Sequence, residues 1–138
     1  AANYGLDPLL GKYYETTCNS CEMIIPDKAG ECPECGHTRK IRGVKHRIAE
    51  LSGDAPPPAR PPYIPQIPLE YIPGLGPKTL EKLLNHFGTE MDILHFVPRE
   101  KIAEVTTTQL AESIHKARIG ELVINAGGGG RYGRVSKT

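Results

Sequence analysis

The four cysteines of the chain fall in a fixed order: Cys18-x2-Cys21, ten residues, then Cys32-x2-Cys35. Two such pairs at this separation bring four thiolates to one point, and the spacing predicts a tetrahedral zinc site. In the second pair, Cys32-Pro33-Glu34-Cys35-Gly36, the glycine admits the left-handed turn that follows the knuckle. The first pair, Cys18-Asn19-Ser20-Cys21-Glu22, lacks that glycine. The competing arrangement is a pair of disulfides in a secreted module. The start of the chain, Ala1-Ala2-Asn3-Tyr4-Gly5, has neither the basic nor the apolar region of a secretory signal, so metal is preferred. Four thiolates leave no open position for water. The expected ion is therefore structural, one Zn²⁺ per chain on Cys18, Cys21, Cys32 and Cys35. His37 follows the second knuckle and reads as a surface residue.

Around the cysteines the pattern is that of a small zinc ribbon. Lys12 to Thr17 is β-prone and leads into the first knuckle. Met23-Ile24-Ile25 is expected as a short strand, Pro26-Asp27-Lys28 as a turn, and Thr38 to Arg42 as the closing strand. Val44, Ile48 and Leu51 are spaced four and three, which predicts a short amphipathic helix. Residues 1–53 form this module. A unit so small cannot supply its own core, so metal binding would be much of its folding free energy. Residues 54–67 hold six prolines and read as a stiff connector.

Residues 68–120 turn helical. Pro68 to Ile72 makes one short turn, and Pro73-Gly74-Leu75-Gly76 a tight hairpin. Pro77 takes the first position of a helix with Leu80, Leu83, Leu84 and Phe87 inward. Thr89 caps a second helix bearing Met91, Leu94 and Phe96. A third runs from Pro98 to Val105. Thr107 or Thr108 starts the last, with Leu110, Ile114 and Ala117 inward and Gly120 after it. Residues 121–138 hold a strand-like Leu122 to Asn125, then Gly127 to Gly130, and are expected as a short glycine-rich hairpin or tail. The fold class is α+β: a zinc ribbon, then an all-α domain, then the glycine-rich segment.

The chemistry of the second half lies in Ile72-Pro73-Gly74-Leu75-Gly76-Pro77-Lys78-Thr79. Two glycines let the backbone turn with its amides outward, and the helix that follows directs its positive end the same way. Together they suit a phosphate oxygen. The expected phosphate-binding residues are Gly74, Leu75, Gly76, Lys78, Thr79 and Lys82. Arg131, Tyr132 and Arg134 are expected to touch DNA or a neighbouring domain. The alternative is that the glycines merely join two helices. Net charge slightly favours a structural role: 17 basic against 16 acidic residues give +1, so basic patches are local. Residues 37–49 hold Arg39, Lys40, Arg42, Lys45 and Arg47 with no acid, and residues 122–138 hold Arg131, Arg134 and Lys137 with no acid. No apolar run is long enough to span a membrane. Without an initiator Met, the chain is expected to be part of a larger intracellular, nucleoid-associated protein.

The 72–79 stretch resembles the helix-hairpin-helix of DNA-repair proteins and polymerases, which holds the DNA backbone without reading sequence. Residues 98–119 look like a second, degenerate copy, with Val105-Thr106-Thr107-Thr108 in place of the glycines. Gly11 to Thr16, the two knuckles, Gly43 to Ile48, Arg60-Pro61-Pro62-Tyr63, Pro68 to Gly76, Phe87 to Met91 and Gly127 to Gly133 occur in succession. As a set they resemble the C-terminal part of the endonuclease Q family. That resemblance implies an N-terminal PHP-type catalytic domain as partner and duplex DNA as ligand. The five histidines are scattered, with no His-x-His, so no catalytic residue is expected in this chain. Two function classes stand: a DNA-engaging accessory region of a repair nuclease, or a zinc and helical scaffold of a larger nucleic-acid enzyme without DNA contact.

Overall fold

A computed structural model describes residues 2–137. The chain divides into two compact units. Unit 1 comprises residues 1–3, 7–63 and 124–134, and unit 2 comprises residues 4–6, 64–123 and 135–138. The connector and the glycine-rich segment are thus shared out between the units. No described helix is long and apolar enough to cross a membrane.

In unit 1, β2 (Thr17–Cys18) and β3 (Lys40–Ile41) pair antiparallel, Thr17 opposite Ile41 and Cys18 opposite Lys40. The closing strand lies where the spacing placed it. Met23 to Ile25 is not a strand: only Ile24 forms an isolated bridge, to Thr17. The knuckle turns on one side and Pro26 on the other leave no room for a ladder. Helix α1 (Val44–Ser52) starts at Gly43 with no side-chain cap. Its first amides donate instead to the carbonyls of Tyr13 and Tyr14, at 2.7 and 3.3 Å. A Cβ on Gly43 would lie 2.3 Å from the Tyr14 oxygen, so only glycine fits. The buried Thr16 hydroxyl accepts the Gly43 amide at 2.9 Å.

The glycine run is built into this unit. Gly127 donates to Leu9 at 2.8 Å and accepts from Glu15 at 2.9 Å. Gly130 donates to Lys12 and Gly133 to Leu10, both at 2.9 Å. Gly128 and Arg131 exchange backbone hydrogen bonds at 3.0 and 3.1 Å around Gly129-Gly130. Both turn glycines have positive φ, +62° and +93°, as a two-residue hairpin turn of the primed type requires. Strands β5 (Ile124–Asn125) and β6 (Arg134–Val135) flank it. A free tail of four glycines would be disordered; here backbone hydrogen bonds at Gly127, Gly128 and Gly130 hold it.

Unit 2 is helical. After a 3-10 turn at Leu69–Tyr71 come α2 (Pro77–Phe87), α3 (Glu90–His95), α4 (Arg99–Val105) and α5 (Thr108–Ile119). Strand β4 (Tyr63–Gln66) leads in and pairs with β1 (Asn3–Leu6). The core is Leu69, Ile72, Leu75, Leu83, Ile93, Leu94, Ile102, Val105, Ala111 and Ile114, with Leu80, Leu84, Phe87, Leu110 and Ala117 packed on it. Thr89 and Thr107 cap α3 and α5 by accepting the Asp92 and Leu110 amides, each at 3.1 Å. On α3, Ile93 and Leu94 face inward, whereas Met91 and Phe96 are exposed. Of the apolar residues expected on this helix, Leu94 is buried, whereas Met91 and Phe96 are not.

The C-terminal end of α3 is closed from a distance. The Arg118 guanidinium, near the end of α5, donates to the carbonyls of Ile93, Leu94 and Val97 at 3.0, 3.0 and 2.7 Å. Burial holds its pKa below the usual arginine value, and the cation is retained because those carbonyls surround it. Replacing Arg118 with Ala is expected to destabilise unit 2 by about 2–3 kcal/mol, read by urea denaturation. In unit 1, a Cβ at Gly129 would meet the Thr17 hydroxyl at 2.4 Å, on a backbone with positive φ. Gly129→Ala should therefore cost about 2 kcal/mol, whereas Gly30→Ala, which enters open space, should cost less than about 0.5.

Candidate metal centre and glycine hairpin

The four cysteines converge. All four sulfur atoms lie within 4.8 Å of one another. Cys18 Sγ is 3.6 Å from Cys35 Sγ, and Cys21 Sγ is 3.5 Å from Cys32 Sγ. A tetrahedral ion at ~2.3 Å from each sulfur needs edges of about 3.8 Å, close to these separations. None of the cysteines is in a disulfide. Cys18 and Cys32 are buried at the base of the site, and Cys21 and Cys35 are exposed at its rim. The Ser20 amide donates to Cys18 Sγ at 3.3 Å. The Cys21 and Ser20 amides favour the Cys18 thiolate, whereas burial and the neighbouring sulfurs push the Cys21 thiol up. The donor set and its spacing fit a metal ion held by four sulfurs.

Both knuckles end in a left-handed residue. Gly36 has φ +72°, as the sequence allowed. Glu22 has φ +64° and is the one described non-glycine residue with positive φ. The first knuckle thus adopts the same turn without a glycine. Glu22 also pairs with Arg131 at 2.5 Å, which ties the knuckle to the glycine turn.

The basic run 37–49 is largely neutralised from within. Arg42 pairs with Asp27 at 2.9 Å and with Glu50 at 2.7 Å. Lys45 pairs with Glu15 at 2.5 Å and Arg47 with Glu50 at 3.2 Å. Lys40 donates to the backbone of Asp27 and Ala29. Sequence counting missed this because the acids lie outside the run. Asp27 is held below its usual pKa chiefly by its hydrogen bond from Arg42, as is Glu50.

In unit 2, the hairpin separates its two glycines by role. Gly74 has φ +83°, so the turn itself demands glycine there. Gly76 has φ −84° and ψ 175°, open to any residue, and a Cβ there would meet nothing within 4 Å. Leu75 does not belong with the outward groups. Its side chain is in the core and its amide donates to the Ile72 carbonyl at 3.1 Å. The first turn of α2 has no side-chain cap, and Pro77 at its first position has no N–H. Lys78 and Lys82 are exposed and lie along one cleft with Glu81, Asn85 and His86; Thr79 is half-buried. Arg131, Tyr132 and Arg134 are not near this hairpin in sequence or unit: they sit in unit 1, exposed, with Arg131 engaged by Glu22.

No protein-family model matches the chain. It is 50% identical over 97% of its length to the uncharacterized protein YqxK of Bacillus subtilis, spanning 35% of that protein. It is 35% identical over 98% of its length to the uncharacterized protein MJ0043 of Methanocaldococcus jannaschii, spanning 19% of it. The chain thus covers about a third or less of these curated relatives. Two solved structures superpose on nearly all of it at 34% identity. One is the lesion-specific endonuclease Q of Pyrococcus furiosus (TM-score 0.78). The other is an endonuclease Q in complex with a 27-mer duplex carrying an abasic lesion at its active site (TM-score 0.79). The chain covers 36% and 38% of those two chains, so what it represents is an endonuclease Q-like region.

Proposed function

We propose that this chain is a non-catalytic, DNA-binding accessory region of a DNA-repair nuclease. In this reading the hairpin at 73–76 and the N-terminal turn of α2 form a helix-hairpin-helix element that holds a backbone phosphate, with Lys78, Thr79 and Lys82 in support. Residues 98–119 are its degenerate second copy, and residues outside this chain carry catalysis. The observation that carries the proposal is Gly76. Neither its φ nor its surroundings within the protein require glycine, so the missing side chain leaves room for something that approaches from outside. The uncapped amides of α2 and the exposed Lys78 and Lys82 supply the charge that a phosphate would seek. Such contacts position the duplex and read no sequence. The endonuclease Q structure solved with duplex DNA supports this reading.

Gly76→Val tests it. The substitution should leave thermal stability unchanged and weaken duplex binding about tenfold, equally for unrelated sequences, by fluorescence anisotropy at fixed salt. Lys82→Gln should lower the slope of log affinity against log salt by about 1. Unchanged binding in both variants favours the scaffold reading, which the internally neutralised basic run 37–49 supports.

The cysteine site is proposed to hold one structural Zn²⁺. Elemental analysis should give one zinc per chain. Cys32→Ser should abolish binding and unfold unit 1, while circular dichroism retains most of the helical signal of unit 2.

A further inference from the structure

The glycine turn of unit 1 does more than close the chain. It sets Tyr132 beside Lys12 and Tyr13, residues more than a hundred positions earlier in sequence. The Lys12 ammonium lies 5.6 Å from the centroid of the Tyr13 ring and 5.6 Å from that of Tyr132. Two rings that share one ammonium at this distance are no farther apart than twice that length. Tyr13 is 47% and Tyr132 55% exposed, so about half of each side chain remains in solvent. The platform is rigid beneath. Gly130 donates to the Lys12 carbonyl, and the Gly128–Arg131 pair fixes the residue before Tyr132. Arg131 is held by Glu22. Arg134, which lines one cleft of about 220 Å³ with Tyr132, Thr17 and Ile24, is exposed and has no ion pair among the described residues.

We propose that Tyr13 and Tyr132, with Lys12 shared between their rings, form a stacking site for unpaired nucleobases of single-stranded DNA. A tyrosine ring accepts any base on its face, because every base has a π surface, so such a site binds strands with little sequence preference. At an exposed site the ammonium is held only weakly by the rings. Lys12 can therefore turn to a phosphate as a base takes its place, and Arg134 supplies a second cation for the strand. A polar surface with no role in binding has no need to anchor two half-exposed rings around one lysine. The inference rests on the nucleic-acid reading above, but on different residues and on the other unit.

The test uses the whole zinc-loaded chain and two fluorescein-labelled single strands of equal length. One is oligothymidylate; the other carries the same phosphates on base-free abasic sugars. Stacking predicts that the thymidylate strand binds at least about fivefold more tightly. Tyr13→Leu and Tyr132→Leu should each reduce that preference toward unity, Tyr13→Phe and Tyr132→Phe should keep it, and all four should hold the wild-type thermal midpoint. Equal affinity for the two strands, or a preference that survives both leucine changes, overturns the inference. If either leucine variant loses its fold, a phenylalanine variant that loses the preference likewise overturns it. Gly76→Val separates the two sites. A preference retained in that variant supports stacking whatever happens to duplex binding. Duplex binding that depends on Gly76 in a chain with no base preference leaves the hairpin and removes this site.

Discussion

Unit 1 depends on the convergence of four sulfur atoms. Apart from Cys18 and Cys32, its buried apolar side chains are Leu10 and Ile25. Burying those two contributes about 3–6 kcal/mol, far too little to order several tens of residues. A zinc ion on four thiolates contributes on the order of 10 kcal/mol, and it does so only when both knuckles are shaped together. The left-handed turns at Glu22 and Gly36 close the two knuckles that bring the four sulfurs together. That a glutamate occupies a conformation costing about 1 kcal/mol more than it would for glycine is consistent with its second task, the ion pair to Arg131.

Unit 2 is organised by the opposite principle. Its core holds ten buried apolar residues and needs no ion. Polar work is confined to helix ends: threonine hydroxyls at the starts of α3 and α5, and Arg118 at the end of α3. The starts of α2 and α4 are left without a side-chain cap, and the first turn of α4 carries Glu100 whereas that of α2 carries no acid. Under the proposed function, the start of α2 is the end that an external anion would meet.

The helices, the threonine caps, the two cysteine pairs and the closing strand were legible because each is set by local spacing. Leu83 and Ile114 are buried where the heptad-like pattern put them, and β3 lies inside the span expected for it. What the chain concealed was long-range. Nothing near Arg42 and Lys45 announces that Asp27 and Glu15 neutralise them. Leu75 looks like a loop residue among glycines but is a core residue, since the turn at Gly74 swings it inward. Met23 to Ile25 has strand composition without a partner of sufficient length. The glycine run reads as a hairpin or a tail, and its hydrogen bonds to Leu9, Leu10, Lys12 and Glu15 make it an anchored hairpin.

The last of these governs how the chain is made. Unit 1 takes its residues from both sides of unit 2, with Tyr63 and Ile124 bounding the interruption. During synthesis the knuckles emerge early, yet the backbone partners of Leu9 and Glu15 emerge only with Gly127. By then every core residue of unit 2, from Leu69 to Ile114, has already been made. The helical unit is thus free to fold first, and the cysteine unit must wait for Gly127 to Gly133 to complete itself. A folded helical unit is more compact than the same residues unfolded, which shortens the effective loop that unit 1 must close, so that the second folding event inherits an entropic advantage from the first.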